Sequence, residues 1–239
     1  MLKNVLLSPI YDYSEVLKTF RGRPGFLTFL IILFGFVIGW WVYVPLHELL
    51  HAFGCIVGGG TVSRLDISPL YGAALLKKIF PFIHIGSDYA GQLKGFDTEG
   101  SDLTYFLTVF SPYILTVILG VPAITLLKRV KNPTLRHAFL FGLAMPPAYA
   151  PFISITGDLY EMGSILITVA MPEALLSHDP TRLRSDDLIG LISTLSESAQ
   201  GMEPTDTIII LLSFTAGAGL AYMIYLLPRL FFSSHTDRG

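Results

Sequence analysis

The sequence predicts an all-helical membrane protein with about four transmembrane helices and a small membrane-associated β-hairpin or sheet after the first. Apolar residues make up 52% of the chain and charged residues only 14%, against roughly 25% charged residues in a soluble domain. The apolar residues are concentrated in four long segments, and most of the charge lies in the connections between them. We therefore expect a multi-pass integral membrane protein that forms a single domain over residues 1–239.

The composition also excludes several other classes of protein. The 16 Lys and Arg residues nearly balance the 18 Asp and Glu residues, so no basic face for nucleic acid is expected. The single cysteine, Cys55, rules out a disulfide framework and a metal module built from several cysteines. The low charge and high hydrophobicity are the opposite of the composition of disordered chains.

The first predicted span, Phe26–Val57, contains only one formally charged residue, Glu48. As a helix it would be roughly 48 Å long, which exceeds the roughly 30 Å of hydrocarbon in a bilayer. We expect a tilted helix, or one kinked at Pro45. Gly35 and Gly39 within it offer a face for close packing against another helix.

The remaining predicted spans are Thr104–Leu127, Ala138–Ala170 and Thr207–Leu227. The third is longer than one crossing needs, and its prolines predict that it is interrupted; these are Pro146, Pro147 and Pro151. Broken helix at membrane depth is tolerated only where it is buried in protein or lines a polar cavity. We therefore expect the third span to border such a cavity.

Two connections are long enough to have structure of their own. In the connection after the first span, Thr61–Ser68 alternates like a strand and Ile79–Ile85 is a second β-like run. In the acidic loop 171–206, Ser185 is predicted to cap an amphipathic helix. The connections on the N-terminal side of the membrane carry the larger number of Lys and Arg residues, which favours an N-terminus on the inside.

The residues that predict chemistry stand near the end of the first span, in the sequence His47-Glu48-Leu49-Leu50-His51. Positions i and i+4 share one face of a helix, so both imidazoles can reach one metal ion. In this spacing two histidines bind Zn²⁺ and the glutamate between them acts as a general base. Three ionisable groups within a membrane span need a compensating role. The alternative is a polar cluster with a purely structural role.

Two histidines leave room for a third protein ligand, and Asp158 in the broken third span is the best candidate. A buried carboxylate needs a cation nearby, although Asp158 could instead, or also, cap the helix that resumes there. Glu161 is the rival ligand or a partner of one histidine, and His84 could approach the site. Cys55 lies about 12 Å along the helix from His47, so we expect it to pack in the core.

In these features the chain resembles the site-2 protease family of intramembrane zinc metalloproteases. The motif ends a span, a glycine-rich turn and a β-like segment follow, and a proline-rich third span bears the aspartate. The resemblance covers roughly residues 26–170, which it identifies as a catalytic core of three helices. It implies one zinc ion held by His47, His51 and Asp158, with Glu48 as the general base. It also implies that the histidine-bearing end of the first span faces the cytosol, which disagrees with the distribution of positive charge.

The leading hypothesis is therefore a zinc endopeptidase that cleaves transmembrane segments of proteins within the lipid bilayer. The substrate must be extended, and Thr61–Ser68 could supply a strand edge for it. The loop Glu173–Asp206 or a separate membrane protein would then select the substrate. Two alternatives remain: a non-proteolytic membrane protein with a structural metal site, and a small metal or ion transporter.

Overall fold

The computed structural model describes residues 6–22, 25–87, 89–172, 179–197 and 201–233, and helices dominate these residues. Three short strands form one sheet between the first two long helical segments. In chain order the elements are α1 (Ser8–Thr19), α2 (Gly25–Val57), β1 (Thr61–Ile67), α3 (Ala73–Leu76), β2 (Ile83–Ile85), β3 (Gly91–Asp97), α4 (Asp102–Phe110), α5 (Val121–Leu127), α6 (Leu135–Ile153), α7 (Asp158–Ala170), α8 (Leu188–Glu197) and α9 (Pro204–Ser233).

Four helical segments of the described chain are long and apolar enough to cross a membrane, and each coincides with a predicted span to within a few residues. They are Gly25–Val57, Asp102–Leu127, Leu135–Ala170 and Pro204–Arg229. The first is one continuous helix of 33 residues that contains Pro45. The second changes its winding between α4 and α5, with a 3₁₀ turn at Pro112 and a π turn over Thr116–Gly120.

The third segment is interrupted, but not at its prolines as the sequence predicts. All three prolines lie inside α6, and the interruption is a turn formed by residues 154–157. Helix α7 then begins at Asp158. The Ser154 hydroxyl accepts a hydrogen bond from the Asp158 backbone N–H at 3.2 Å. The break therefore brings a carboxylate to the first position of a helix inside the bundle.

Helices α2 and α6 approach each other closely through their glycines. A Cβ atom added to Gly35 would lie 2.2 Å from the carbonyl oxygen of Phe139, and one added to Gly142 would lie 2.0 Å from that of Ile32. Gly39 has the same relation to Leu143, at 2.7 Å. The prediction that Gly35 and Gly39 form a helix-packing face is confirmed, since only a residue without a side chain fits there.

Replacing Gly142 by alanine should destabilise the bundle by about 1–3 kcal/mol, the usual cost of overpacking. The added methyl group meets a backbone carbonyl, which cannot move aside without separating α2 from α6. The measurement is thermal unfolding in detergent. The control is Gly219→Ala in α9, where an added Cβ meets nothing within 4 Å. Equal unfolding temperatures for the two variants would contradict the prediction.

The sheet has the strand order β2-β1-β3. Strand β1 pairs in parallel with β2 through residues 65–67 and antiparallel with β3 along its whole length. The expectation that Thr61–Ser68 offers a free edge is therefore wrong, because β1 is the central strand. The predicted second β-like run shortens to Ile83–Ile85, and β3 was not predicted. Two glycines, Gly91 at the start of β3 and Gly95 within it, weaken its strand signal.

An ion pair links the polar face of β1 to β3. The Asp66 carboxylate is almost fully buried and accepts hydrogen bonds from the Arg64 guanidinium at 2.7 and 3.1 Å. Lys94 on β3 lies 3.2 Å from the same carboxylate. The hydrogen bond from Arg64 lowers the pKa of Asp66 below its ordinary value, so this carboxylate remains ionised and the cross-strand pair with Lys94 persists at neutral pH.

The short N-terminal helix α1 is fixed to the bundle by one buried carboxylate. Asp12 is only 3% exposed. It lies 2.6 Å from the Lys128 ammonium group and 3.1 Å from the Arg229 guanidinium, and it accepts a hydrogen bond from the Tyr225 hydroxyl at 2.9 Å. Because a buried charge is tolerated when it is paired, this cluster joins α1 to the end of α5 and to α9.

Candidate metal centre

The two histidines of the motif and the aspartate of the third segment meet inside the bundle. His47 and His51 lie on one face of α2, and their Nε2 atoms are 3.1 Å apart. Oδ2 of Asp158 lies 3.2 Å from Nε2 of His47 and 3.6 Å from Nε2 of His51. One donor atom from each residue falls within 4.8 Å of the others, so the three could hold a metal ion. The structure thus brings together all three of the predicted ligands.

The alternatives left open for the third ligand are also decided by position. The Asp158 carboxylate faces the histidines, and Gly157 rather than Asp158 is the N-cap of α7. Glu161 is not in the group of potential ligands, and one of its oxygens accepts a hydrogen bond from the Tyr105 hydroxyl. His84 is exposed on β2. The thiol of Cys55 is buried 3.6 Å from the Thr61 carbonyl oxygen, as expected of a core residue.

The imidazoles are oriented so that their Nε2 atoms are free to bind a metal. Nδ1 of His51 lies 2.9 Å from the carbonyl oxygen of Thr108. A carbonyl can only accept, so Nδ1 carries the hydrogen and Nε2 keeps its lone pair. Nδ1 of His47 lies 2.7 Å from the Tyr43 hydroxyl. Histidine ligands in metal sites usually have such a partner at the other ring nitrogen, and these contacts therefore fit a site that holds a metal ion.

Glu48, the residue between the two histidines, is placed to act on a molecule in the site. Its side chain lines a cavity of about 820 Å³ together with His47, His51 and Asp158. Within the described part of the chain, its carboxylate makes no hydrogen bond or ion pair. Gly91 at the start of β3 packs directly on it, since a Cβ atom added to Gly91 would lie 2.4 Å from Cγ of Glu48.

Two walls of the cavity are formed by elements other than the long helices. One is β3, which contributes residues from Gly91 to Phe96, and the other is the segment Arg184–Asp187. Strand β3 is the terminal strand of the described sheet, paired only with β1. The site is therefore bordered by a strand edge on one side and by an acidic segment on the other.

The acidic segment is held in place by Arg184. Its guanidinium lies 2.5 Å from the Asp102 carboxylate and donates a second hydrogen bond to the Thr168 hydroxyl at 3.0 Å. The prediction that Ser185 caps the following helix is wrong. Asp187 occupies that position, because its carboxylate accepts a hydrogen bond from the Gly190 N–H at 3.0 Å. Of the predicted loop Glu173–Asp206, residues 173–178 and 198–200 lie outside the described residues.

Comparisons with known proteins identify no relative of this chain. No protein-family model matches it, and searches of curated proteins and of solved structures likewise give no match. The functional assignment therefore rests on the geometry of the site and on the sequence motif.

Several residues around the site were not predicted from the sequence. Tyr43 precedes His47 by four residues, and this spacing on one helix face could have indicated the contact. Tyr113 donates a hydrogen bond to Oδ2 of Asp158 at 3.0 Å from a different segment. Gly91 touches Glu48 through the packing of β3 on α2. No pattern in the neighbouring sequence predicts the contact of Tyr113 with Asp158 or that of Gly91 with Glu48.

Proposed function

We propose that this chain is an intramembrane zinc endopeptidase that cleaves transmembrane segments of other proteins, as members of the site-2 protease family do. One observation carries the proposal. The donor atoms of His47, His51 and Asp158 converge beside the carboxylate of Glu48, in a cavity between helices long enough to cross a bilayer. The proposal includes insertion of these helices in a lipid bilayer, which their length and apolar character support.

In the proposed site His47, His51 and Asp158 hold the metal ion. Zinc supplies Lewis-acid chemistry there, making a water molecule more acidic and a peptide carbonyl more electrophilic. The three donors found among the described residues match the three protein ligands of catalytic zinc sites, whereas structural sites usually have four. This difference supports an enzyme over a structural metal site, and the position of Glu48 in the wall of the same cavity supports it further.

Glu48 is the proposed general base and then the general acid. Its carboxylate accepts a proton from the attacking water as the new C–O bond forms at the scissile carbonyl. The same proton passes to the amide nitrogen as the C–N bond breaks, so that the products are a carboxylic acid and an amine. Glu48 ends the cycle in the form in which it began. Among the described residues its carboxylate makes no hydrogen bond, which is consistent with this role because none of these contacts must be broken first.

The substrate is proposed to bind as an extended chain along β3. A transmembrane helix hides its carbonyl groups in internal hydrogen bonds, so a segment must unwind before it can react. An unwound segment can satisfy its backbone groups by pairing with an exposed strand edge. Strand β3 borders the cavity and begins at Gly91, beside Glu48. Pairing along β3 would therefore lead the substrate backbone past the general base.

The proposal is tested by cleavage of a single-span membrane protein in detergent or in liposomes. The purified chain is loaded with zinc, stripped with a chelator and reloaded, and the products are identified by mass spectrometry. We expect cleavage within the apolar segment, loss of cleavage on stripping and recovery on addition of zinc. Zinc binding without cleavage of any of a panel of single-span substrates would favour a structural metal site. Metal uptake into liposomes without cleavage would favour a transporter.

Replacing Gly91 by alanine should reduce cleavage by about a hundredfold, since displacement of a catalytic group by about 1 Å can have that effect. The added methyl group would occupy the position of the Glu48 side chain and force it to move. Zinc affinity should remain near that of the wild type, because Gly91 does not contact the ligands. The measurement is the initial rate of cleavage at equal zinc occupancy. An unchanged rate would show that Glu48 does not act from the position described above.

A further inference from the structure

We infer that Tyr43 and Tyr113 are positioning residues that fix the orientation of two of the metal ligands, His47 and Asp158. This inference rests on the proposed metal site, but it does not depend on the reaction that the site catalyses. Its physical basis is that a ligand binds a metal tightly only when its own orientation is fixed beforehand by neighbouring hydrogen bonds.

Tyr43 holds the imidazole of His47 from the preceding turn of α2. Its hydroxyl lies 2.7 Å from Nδ1, and the two ring centroids are 5.3 Å apart. For Nε2 to bind a metal through its lone pair, Nδ1 must carry the hydrogen and donate it to the Tyr43 oxygen. Tyr43 is only 8% exposed, so little water can replace the phenol as that acceptor. The contact therefore fixes the rotation of the His47 ring and accommodates the tautomer that metal binding requires.

Tyr113 holds the carboxylate of Asp158 from the segment that joins α4 and α5. Its hydroxyl donates a hydrogen bond at 3.0 Å to Oδ2, the same oxygen that faces the Nε2 atoms of both histidines. The edge of the Tyr113 ring also packs on His47, with centroids 6.1 Å apart and planes at 87°. Tyr113 thereby fixes which oxygen of Asp158 faces the metal position.

His51, the remaining ligand, is oriented in a different way. His51 is held by the backbone carbonyl of Thr108, which no substitution of a side chain removes. Two of the three ligands therefore depend on phenol groups. A phenol is neutral, whereas the carboxylates that often orient histidine ligands would bring further charge into the bundle. Between apolar helices a neutral partner avoids the desolvation cost of another ion.

Both tyrosines act through the ligands rather than on the substrate. Neither residue lines the cavity of about 820 Å³, although Tyr43 lines a smaller one of about 220 Å³ together with His47 and Glu48. Tyr113 has no exposed surface. Tyr105 does line the larger cavity, but its hydroxyl bonds to Glu161 and touches no ligand. It therefore provides a control: the same residue type close to the site, without a hydrogen bond to the metal ligands.

The test compares zinc affinity in Tyr43→Phe, Tyr113→Phe and Tyr105→Phe, each measured by competition with a chromogenic chelator in the absence of substrate. We expect affinity to fall about 10–100-fold in each of the first two variants, the usual effect of removing the partner of a ligand. Affinity should be unchanged in Tyr105→Phe. The absorption spectrum of the cobalt-substituted protein should shift in the first two variants only, because their ligand geometry changes.

A second measurement separates a positioning role from a loss of fold. In an Asp158→Ala background, Tyr113→Phe should have no further effect on zinc affinity, while Tyr43→Phe should keep its effect through His47. Unfolding of the metal-free proteins reports any structural damage independently. Equal zinc affinity in wild type, Tyr43→Phe and Tyr113→Phe would overturn the inference and leave the metal site intact. Failure of the wild type to bind zinc would instead overturn the proposed function.

Discussion

Replacing Glu48 by glutamine should lower the rate of peptide cleavage by about 10²–10⁴-fold, the usual contribution of a general acid–base group. The amide has nearly the shape of the carboxylate but cannot accept the proton of the attacking water. Because Glu48 is not one of the three convergent ligands, zinc should remain bound with unchanged stoichiometry. The measurement pairs the single-turnover cleavage rate with the zinc content of the same sample.

A carboxyl group in the same cavity supplies the comparison for this variant. Glu161 also lines the cavity, but it already has Tyr105 as a hydrogen-bond partner, and a glutamine there could still accept that bond. Glu161→Gln should therefore lose far less activity than Glu48→Gln. Cleavage by Glu48→Gln at the wild-type rate would remove Glu48 from the role of general base. Loss of zinc together with activity would indicate that Glu48 is a ligand instead.

Replacing Asp158 by asparagine should weaken zinc binding by more than the roughly 10–100-fold that the partners of ligands contribute. The substitution removes the negative charge that faces both histidines while preserving the size of the side chain. An amide is also a poorer zinc ligand than a carboxylate. The measurement is competition with a chelator of known affinity, followed by cleavage assays at saturating zinc.

Asp186→Asn is the control for charge in the cavity. Asp186 lines the same cavity but is not in the group of potential ligands, so its replacement should change zinc affinity only slightly. If Asp158→Asn bound zinc as tightly as the wild type, Asp158 would leave the ligand set, and a different third donor would have to be found. If both variants lost affinity equally, the effect would be due to the overall charge of the cavity.

The sequence predicted two kinds of feature: patterns that are repeated along a segment, and residues that depart from the pattern of the segment in which they lie. Four long apolar segments reveal four helices, because each residue of such a segment contributes to the same signal. His47, Glu48 and His51 stand out since ionisable residues are rare in these segments and their spacing matches one helix face. Asp158 was found for the same reason, by its place in an interrupted apolar segment.

Contacts between distant segments could not be predicted in this way. The hydrogen bond from Tyr113 to Asp158 joins residues 45 positions apart, and a tyrosine in an apolar segment is not unusual. Strand β3 was missed because its glycines conceal the alternation typical of a strand, and β1 was assigned a free edge for lack of that neighbour. The break in the third segment follows its prolines by a turn, so proline content indicated a break without locating it.

The sequence by itself therefore determined the helical spans and the chemical character of the site. Hydrophobicity and helical spacing are properties of neighbouring residues, and they are readable without coordinates. The tertiary structure alone decided that Asp158 meets the histidines, that Gly91 of β3 covers Glu48, and that phenol groups hold two of the ligands. These contacts depend on how α2, α7 and the sheet pack together, and packing is set by the shapes of whole surfaces rather than by any local pattern.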